Sequence, residues 1–257
     1  MRNLLTLVRK ELHQYFISPI VYVVAMVFLA VTDFLFYLQV RGISELSARH
    51  MMQMQGEVPQ LIVHEAIFIP TFRNMSFVLL LIMPLLTMRL FAEEKKGRTS
   101  ELLMTSPITI TEIVLGKFFA AMLVYLLLLI LSMHLPLILS IVTDISWTPI
   151  FASYLGLFLM GGVFLSMGLF ASALTENQII AAVIGFGILI GLWVAGVSGG
   201  NTGESTLALV ASYLSISKQL DSFIKGLIST RGLTYFVSMT LLGLFLCYRV
   251  VESERWK

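Results

Sequence analysis

Six stretches of the chain, 20–40, 75–90, 118–142, 151–174, 179–197 and 233–250, are apolar over lengths close to that of a membrane crossing. A bilayer core is about 30 Å thick, so a helical span needs about 20 mostly apolar residues. Across all 257 residues 58% are hydrophobic and 12% are charged, too apolar a balance for a soluble domain. No strand-like alternation recurs at the spacing a β-barrel requires, and in lipid every backbone polar group needs a partner within a helix or a closed sheet. The prediction is an all-α membrane protein, a single transmembrane domain over 1–257 with six transmembrane helices.

Residues 1–17 carry charge throughout and lead into a full-length apolar run with no small-residue cleavage site, so the first span is expected to be an uncleaved anchor. Within 1–17, Leu4, Leu5, Val8, Leu12, Tyr15 and Phe16 share one helical side. Arg2, Thr6, Arg9, Lys10 and His13 lie opposite, the pattern of an N-terminal amphipathic interfacial helix. Ser18-Pro19 breaks it. With the N-terminus inside, the inner segments hold more Lys and Arg than the outer ones, which places both termini in the cytoplasm. Cys247 is the single cysteine and falls in the last apolar run, so no intrachain disulfide can form.

On the outer side, 41–74 is expected to be helical in part. Residues 199–232 form an outer cap of short helices before span six: a Gly199–Gly203 turn cluster, then Leu220, Phe223, Ile224, Leu227 and Ile228 at helical spacing behind Ser217 as N-cap. On the inner side, Thr175-Glu176-Asn177-Gln178 has the spacing of a capping box for span five.

The densest charge lies between spans two and three. Glu93, Glu94, Lys95, Lys96, Arg98 and Glu101 crowd together after Arg89, with Gly97 among them and Leu102, Leu103 and Met104 as an apolar edge. Glu94 with Arg98 and Glu93 with Lys96 are spaced as helical ion pairs. Ser106-Pro107 ends the segment, and Thr109-x-x-Glu112 is a capping box opening the next helix. A short cytoplasmic helix over 93–104, held between two spans, is a handle by which a cytosolic protein moves those spans. Pro84 and Pro136, inside the flanking spans, are the candidate hinges.

The chain carries no recognised catalytic signature. Gly116-Lys117 lacks the upstream glycine of a phosphate loop, His64-Glu65 is followed by Phe68 where a zinc-protease helix needs histidine, and no G-x-S-x-G elbow occurs. Two ionisable groups lie within spans, Asp33 and His134, at similar depth below the outer face. They read as an interhelical polar pair or as the lining of a path, with a buried hydrogen bond the favoured reading. His50, Met51, Met52 and Met54 could hold a soft metal, but methionine more often serves as adaptable packing, and no metal site is assigned.

Taken together, several blocks resemble the permease subunits of type-2 ABC transporters, in particular a short six-span branch that includes gliding-motility permeases. They are Arg9-Lys10-Glu11-Leu12 with Ser18-Pro19-Ile20; Pro84 to Arg89 running into Phe91 to Gly97; Glu101-Leu102-Leu103 through Ser106-Pro107; Glu112 to Lys117; Thr175 to Gln178; and Glu252 to Trp256. The resemblance implies a half-transporter of a bacterial inner membrane, pairing with a second permease chain, identical or paralogous, and with two cytoplasmic ABC ATPases. ATP and Mg would then sit on the ATPases, with no cofactor and no enzymatic activity in this chain. It further implies that Glu93, Glu94, Lys95, Lys96, Gly97, Arg98, Glu101 and Leu102 form the coupling helix, and that Arg9, Lys10 and Glu11 also touch the ATPase. Arg98 departs from the plainer Gly-Thr pattern expected there.

Two readings of function follow. In one the chain is an exporter permease, and the scarcity of polar residues in its spans suits a lipid-like cargo. In the other it passes ATP-driven motion to an extracytoplasmic accessory protein and translocates nothing. Membrane lipid surrounds it in both, and nucleic acid is expected in neither.

Overall fold

The computed structural model describes residues 2–51, 64–98, 108–195 and 213–254, without the side chains of Arg2 and residues 46–51. The fold is that of an all-α membrane protein. An N-terminal helix, α1 (Arg2–Ile17), precedes α2 (Pro19–Met51). A π-helical turn, His64–Phe68, leads into α3 (Ile69–Thr87), and α4 (Arg89–Lys96) follows after one residue. Next come α5 (Ile110–Ser132), α6 (His134–Val142), α7 (Trp147–Ala173) and α8 (Gln178–Val194). The described chain closes with α9 (Ile216–Ile224) and α10 (Thr230–Glu254).

Five helical stretches are long and apolar enough to cross a bilayer, and α8 is a shorter apolar helix. The spans are longer than their apolar windows. At about 1.5 Å per residue α2 extends well past a bilayer core, so the helix expected over 20–40 carries on through Arg41 and Glu45. The second span starts near His64 rather than Met75. Pro136 acts as a proline should. It cannot donate to the carbonyl four residues back, and the helix breaks at Met133, dividing the third span into α5 and α6. Pro84 leaves α3 continuous, and the chain turns only at Met88.

The centre of the bundle is α7, packed against α10, α8, α3, α9, α5 and α4. Small residues allow this. A Cβ on Gly161 would lie 1.9 Å from the Tyr125 ring, and one on Gly168 would lie 2.2 Å from Thr87 Oγ1. Without such side chains, helix backbones approach closely in lipid, where packing rather than water drives association. The Tyr125 hydroxyl reaches across to donate to Leu157 O at 2.6 Å.

The two ends of the bundle differ. At one end α9 lies over the start of α7, tied by Arg73–Asp221 at 3.0 Å and by His64 Nε2 at 3.2 Å from Ile224 O. Helix α9 stops at Ile224, and Gly226 at φ +82° turns the chain. Leu227 and Ile228, expected to prolong the buried face, are therefore exposed. The N-cap is Ser215, not Ser217, its hydroxyl accepting from Lys218 N. The other end carries α1, α4, the starts of α5 and α8, and the ends of α7 and α10.

Candidate functional site: a charged helix clamped to the bundle

Local chemistry explains α4. Leu90, Phe91 and Ala92 turn inward while Glu93 and Lys96 face out, and two lysines at its C-terminus favour the negative end of the helix dipole. The helix stops at Gly97, and Arg98 takes the left-handed region at φ 55°, its N–H donating to Lys95 O at 3.0 Å. Of the expected helix over 93–104, the described residues show Arg89–Lys96 in a helix and Gly97-Arg98 in a turn, and 99–104 lie outside them. Glu101 and Leu102 lie outside the described residues.

Helix α4 is fastened to four neighbours. Its first backbone donors have no intrahelical partner, and Ser172 at the end of α7 supplies one. Ser172 Oγ accepts from Phe91 N at 3.0 Å and Ala92 N at 3.2 Å, and donates to Met88 O at 2.9 Å. Lys95 donates to Ala173 O, one of the free carbonyls closing α7, and pairs with Glu254 at the end of α10. Arg89 pairs with Glu93 at 2.7 Å and donates to Ser18 Oγ between α1 and α2.

The fourth tie is the most buried. Lys117, in the second turn of α5, is 1% exposed, with its Nζ 3.0 Å from Glu11 of α1 and 2.9 Å from Glu94 of α4. Its ammonium also lies over the Phe91 ring at 5.2 Å, a cation–π arrangement. Lys10 stands 3.7 Å from Glu94 at the rim. Among the described residues two lysines face two carboxylates, and such pairing is how charge is tolerated when buried. Glu94 reaches Lys117 rather than Arg98, and Glu93 reaches back to Arg89 rather than on to Lys96. The first expected pair is thus replaced by a tie to another helix, the second by an i,i+4 pair within α4 itself.

Helix α1 is packed onto the bundle rather than merely laid on a surface. Leu7 fills the space over Gly116, where a Cβ would lie 2.4 Å from its Cδ2, and Val8 and Glu11 are buried beside it. Leu5 and Phe16, assigned to the apolar side, are exposed. The Tyr15 hydroxyl donates to Leu86 O at 3.1 Å, and burial pushes its pKa up, so it remains a donor.

The predicted site residues thus divide. Glu93, Lys96, Gly97, Arg98, Arg9 and Lys10 present exposed surface; Glu94, Lys95 and Glu11 are used inside the protein. Asp33 and His134 do meet, with Nε2 and Oδ1 3.1 Å apart, but at ion-pair distance without hydrogen-bond alignment. The two side chains are part-exposed, yet Asp33 Oδ1 itself is buried and accepts no hydrogen bond, so the pair forms without the expected bond. The His50, Met51, Met52 and Met54 cluster lies outside the residues whose side chains are described. Lys117 and Ser172 were not singled out from sequence. A lysine seven residues into an apolar helix was the available signal for the first, and nothing local marks the second.

An apolar helical bundle with a short charged helix clamped at one end defines a polytopic membrane component, with its charged surface turned outward from that end. The chain belongs to the ABC-2 family: the family described as ABC-2 family transporter protein matches residues 65–248, from the π-helical turn into α10. No curated protein matches it. It is a permease subunit of an ABC transporter, the membrane component rather than the ATPase.

Proposed function

We propose that this permease pairs with a second permease chain and two cytoplasmic ATPases, and that α4 is the element the ATPases push to change access for an exported amphipathic cargo. The α4 end of the bundle then faces the cytosol of a bacterial inner membrane, as the distribution of Lys and Arg favours. Glu93, Lys96, Gly97, Arg98, Arg9 and Lys10 make up the receiving surface, and the internal ties pass the displacement on. The observation that carries this reading is Lys117, held between Glu11 of α1 and Glu94 of α4. A push on α4 cannot be absorbed locally, because it drags a buried ion network joining three helices. Pro84 and Pro136 are proposed to yield as the spans tilt.

The test separates stability from coupling. In the reconstituted transporter, the triple variant Glu11→Leu, Glu94→Met, Lys117→Met replaces the network with apolar groups of similar size, which commonly restores stability. The expected result is a complex that assembles and hydrolyses ATP while cargo export falls about ten-fold or more, a loss of about 1.4 kcal/mol of coupling. Export retained at the wild-type ratio to hydrolysis would contradict the proposal.

A further inference from the structure

Between α1, the start of α2, the end of α3 and α4 lies a cavity of about 620 Å³. Small-molecule sites run roughly 300–1,000 Å³, so it is large enough for a ligand. Its walls are of two kinds. Ile17, Ile20, Val21 and Leu85 make one side apolar, and Ile17 and Leu85 are also exposed on the outside of the bundle. That side is continuous with the surface a bilayer covers. The other side carries the ion pairs of the α4 clamp.

Lys117 is committed to Glu11 and Glu94. Arg89 and Glu93 are paired with each other but not saturated. A guanidinium has five N–H donors; here Nε and Nη2 each give one to Glu93 and Nη1 gives one to Ser18, leaving two. Each Glu93 oxygen accepts one of these and keeps capacity for another, and half of that side chain is exposed. Where the apolar wall ends, the cavity therefore offers anion-binding N–H groups next to a carboxylate.

We propose that this cavity binds the headgroup of a zwitterionic phospholipid bearing a primary ammonium. Its phosphate meets Arg89, its ammonium donates to Glu93, and its chains leave along Val21 and Leu85. An anionic headgroup would satisfy Arg89 but bring negative charge against Glu93 and Glu94. A quaternary ammonium would supply charge without N–H donors for the Glu93 oxygens. That the lipid comes from the inner leaflet rests on the orientation proposed above; the binding itself does not.

The nucleotide-free permease–ATPase complex, equilibrated in bilayer discs of equal phosphatidylethanolamine, phosphatidylcholine and phosphatidylglycerol, tests this by native mass spectrometry of retained lipid. Phosphatidylethanolamine should be enriched about five-fold over the other two, as charge-assisted hydrogen bonds to both ends of the headgroup would give. Glu93→Gln leaves Arg89 unbalanced and should reverse the order in favour of phosphatidylglycerol. Leu85→Trp, at an exposed position, should fill the apolar wall and cut retention about ten-fold with thermal stability unchanged. Retention in proportion to supply by the wild type overturns the proposal, as does an unchanged order in Glu93→Gln. Displacement of the lipid by free phosphoethanolamine would overturn it in favour of a soluble zwitterion.

Discussion

Lys117 is buried where an unpaired ammonium would cost several kcal/mol, and Glu11 and Glu94 are what make it tolerable. Lys117→Met alone leaves the Glu11 carboxylate buried without its ammonium and should destabilise the protein by about 3–5 kcal/mol. Thermal unfolding in detergent would show it, and the neutral triple variant should recover most of the loss. Ser172 works on a smaller scale. Ser172→Ala leaves the N–H groups of Phe91 and Ala92 buried without their acceptor, and about 1–3 kcal/mol of stability should go with it. An unchanged melting temperature would mean that water or a small shift of α4 replaces the hydroxyl.

Helix boundaries were legible where one side chain settles a local question. Thr109 and Glu112 form the expected capping box, with Glu112 N 3.3 Å from Thr109 Oγ1 and Thr109 N 3.0 Å from Glu112 Oε2. Thr175 has the same spacing to Gln178, yet α8 is capped by Asn177, whose side chain accepts from Ile179 N at 2.9 Å. Asparagine is at least as good a cap as threonine, and a helix starting two residues later exposes nothing costly. For α4 the charge density marked the element, but the partners of Glu94 and Lys95 sit on helices distant in sequence, while Glu93 turns back to Arg89 of α4 itself. Local spacing therefore suggested a Glu94–Arg98 pair that the bundle outcompetes. The end of α4 has its own signature: Arg98 holds a left-handed conformation that glycine adopts freely. Arg98→Gly should stabilise the turn by about 1 kcal/mol, raising the melting temperature while weakening the exposed basic surface.

At the level of the whole molecule, the apolar windows announced the spans, and α7 holds the bundle together through contacts no window records. Gly161→Ala would drive a methyl into the Tyr125 ring and should cost about 1–3 kcal/mol, read as a loss of monodisperse protein on heating. The stack of α7 on its neighbours includes α4, which packs against its end. Among the described residues, the exposed surface at this end of the bundle includes Glu93, Lys96, Gly97, Arg98 and the outer side of α1. A single cysteine at position 96 tests the central claim most directly, because Cys247 is buried and leaves little background. In sealed inside-out vesicles containing the assembled transporter, Lys96→Cys should crosslink to the ATPase and be labelled by an impermeant maleimide once the ATPase is stripped. Labelling from the outer face of intact cells, or no crosslink to the ATPase in the assembled transporter, would contradict the account.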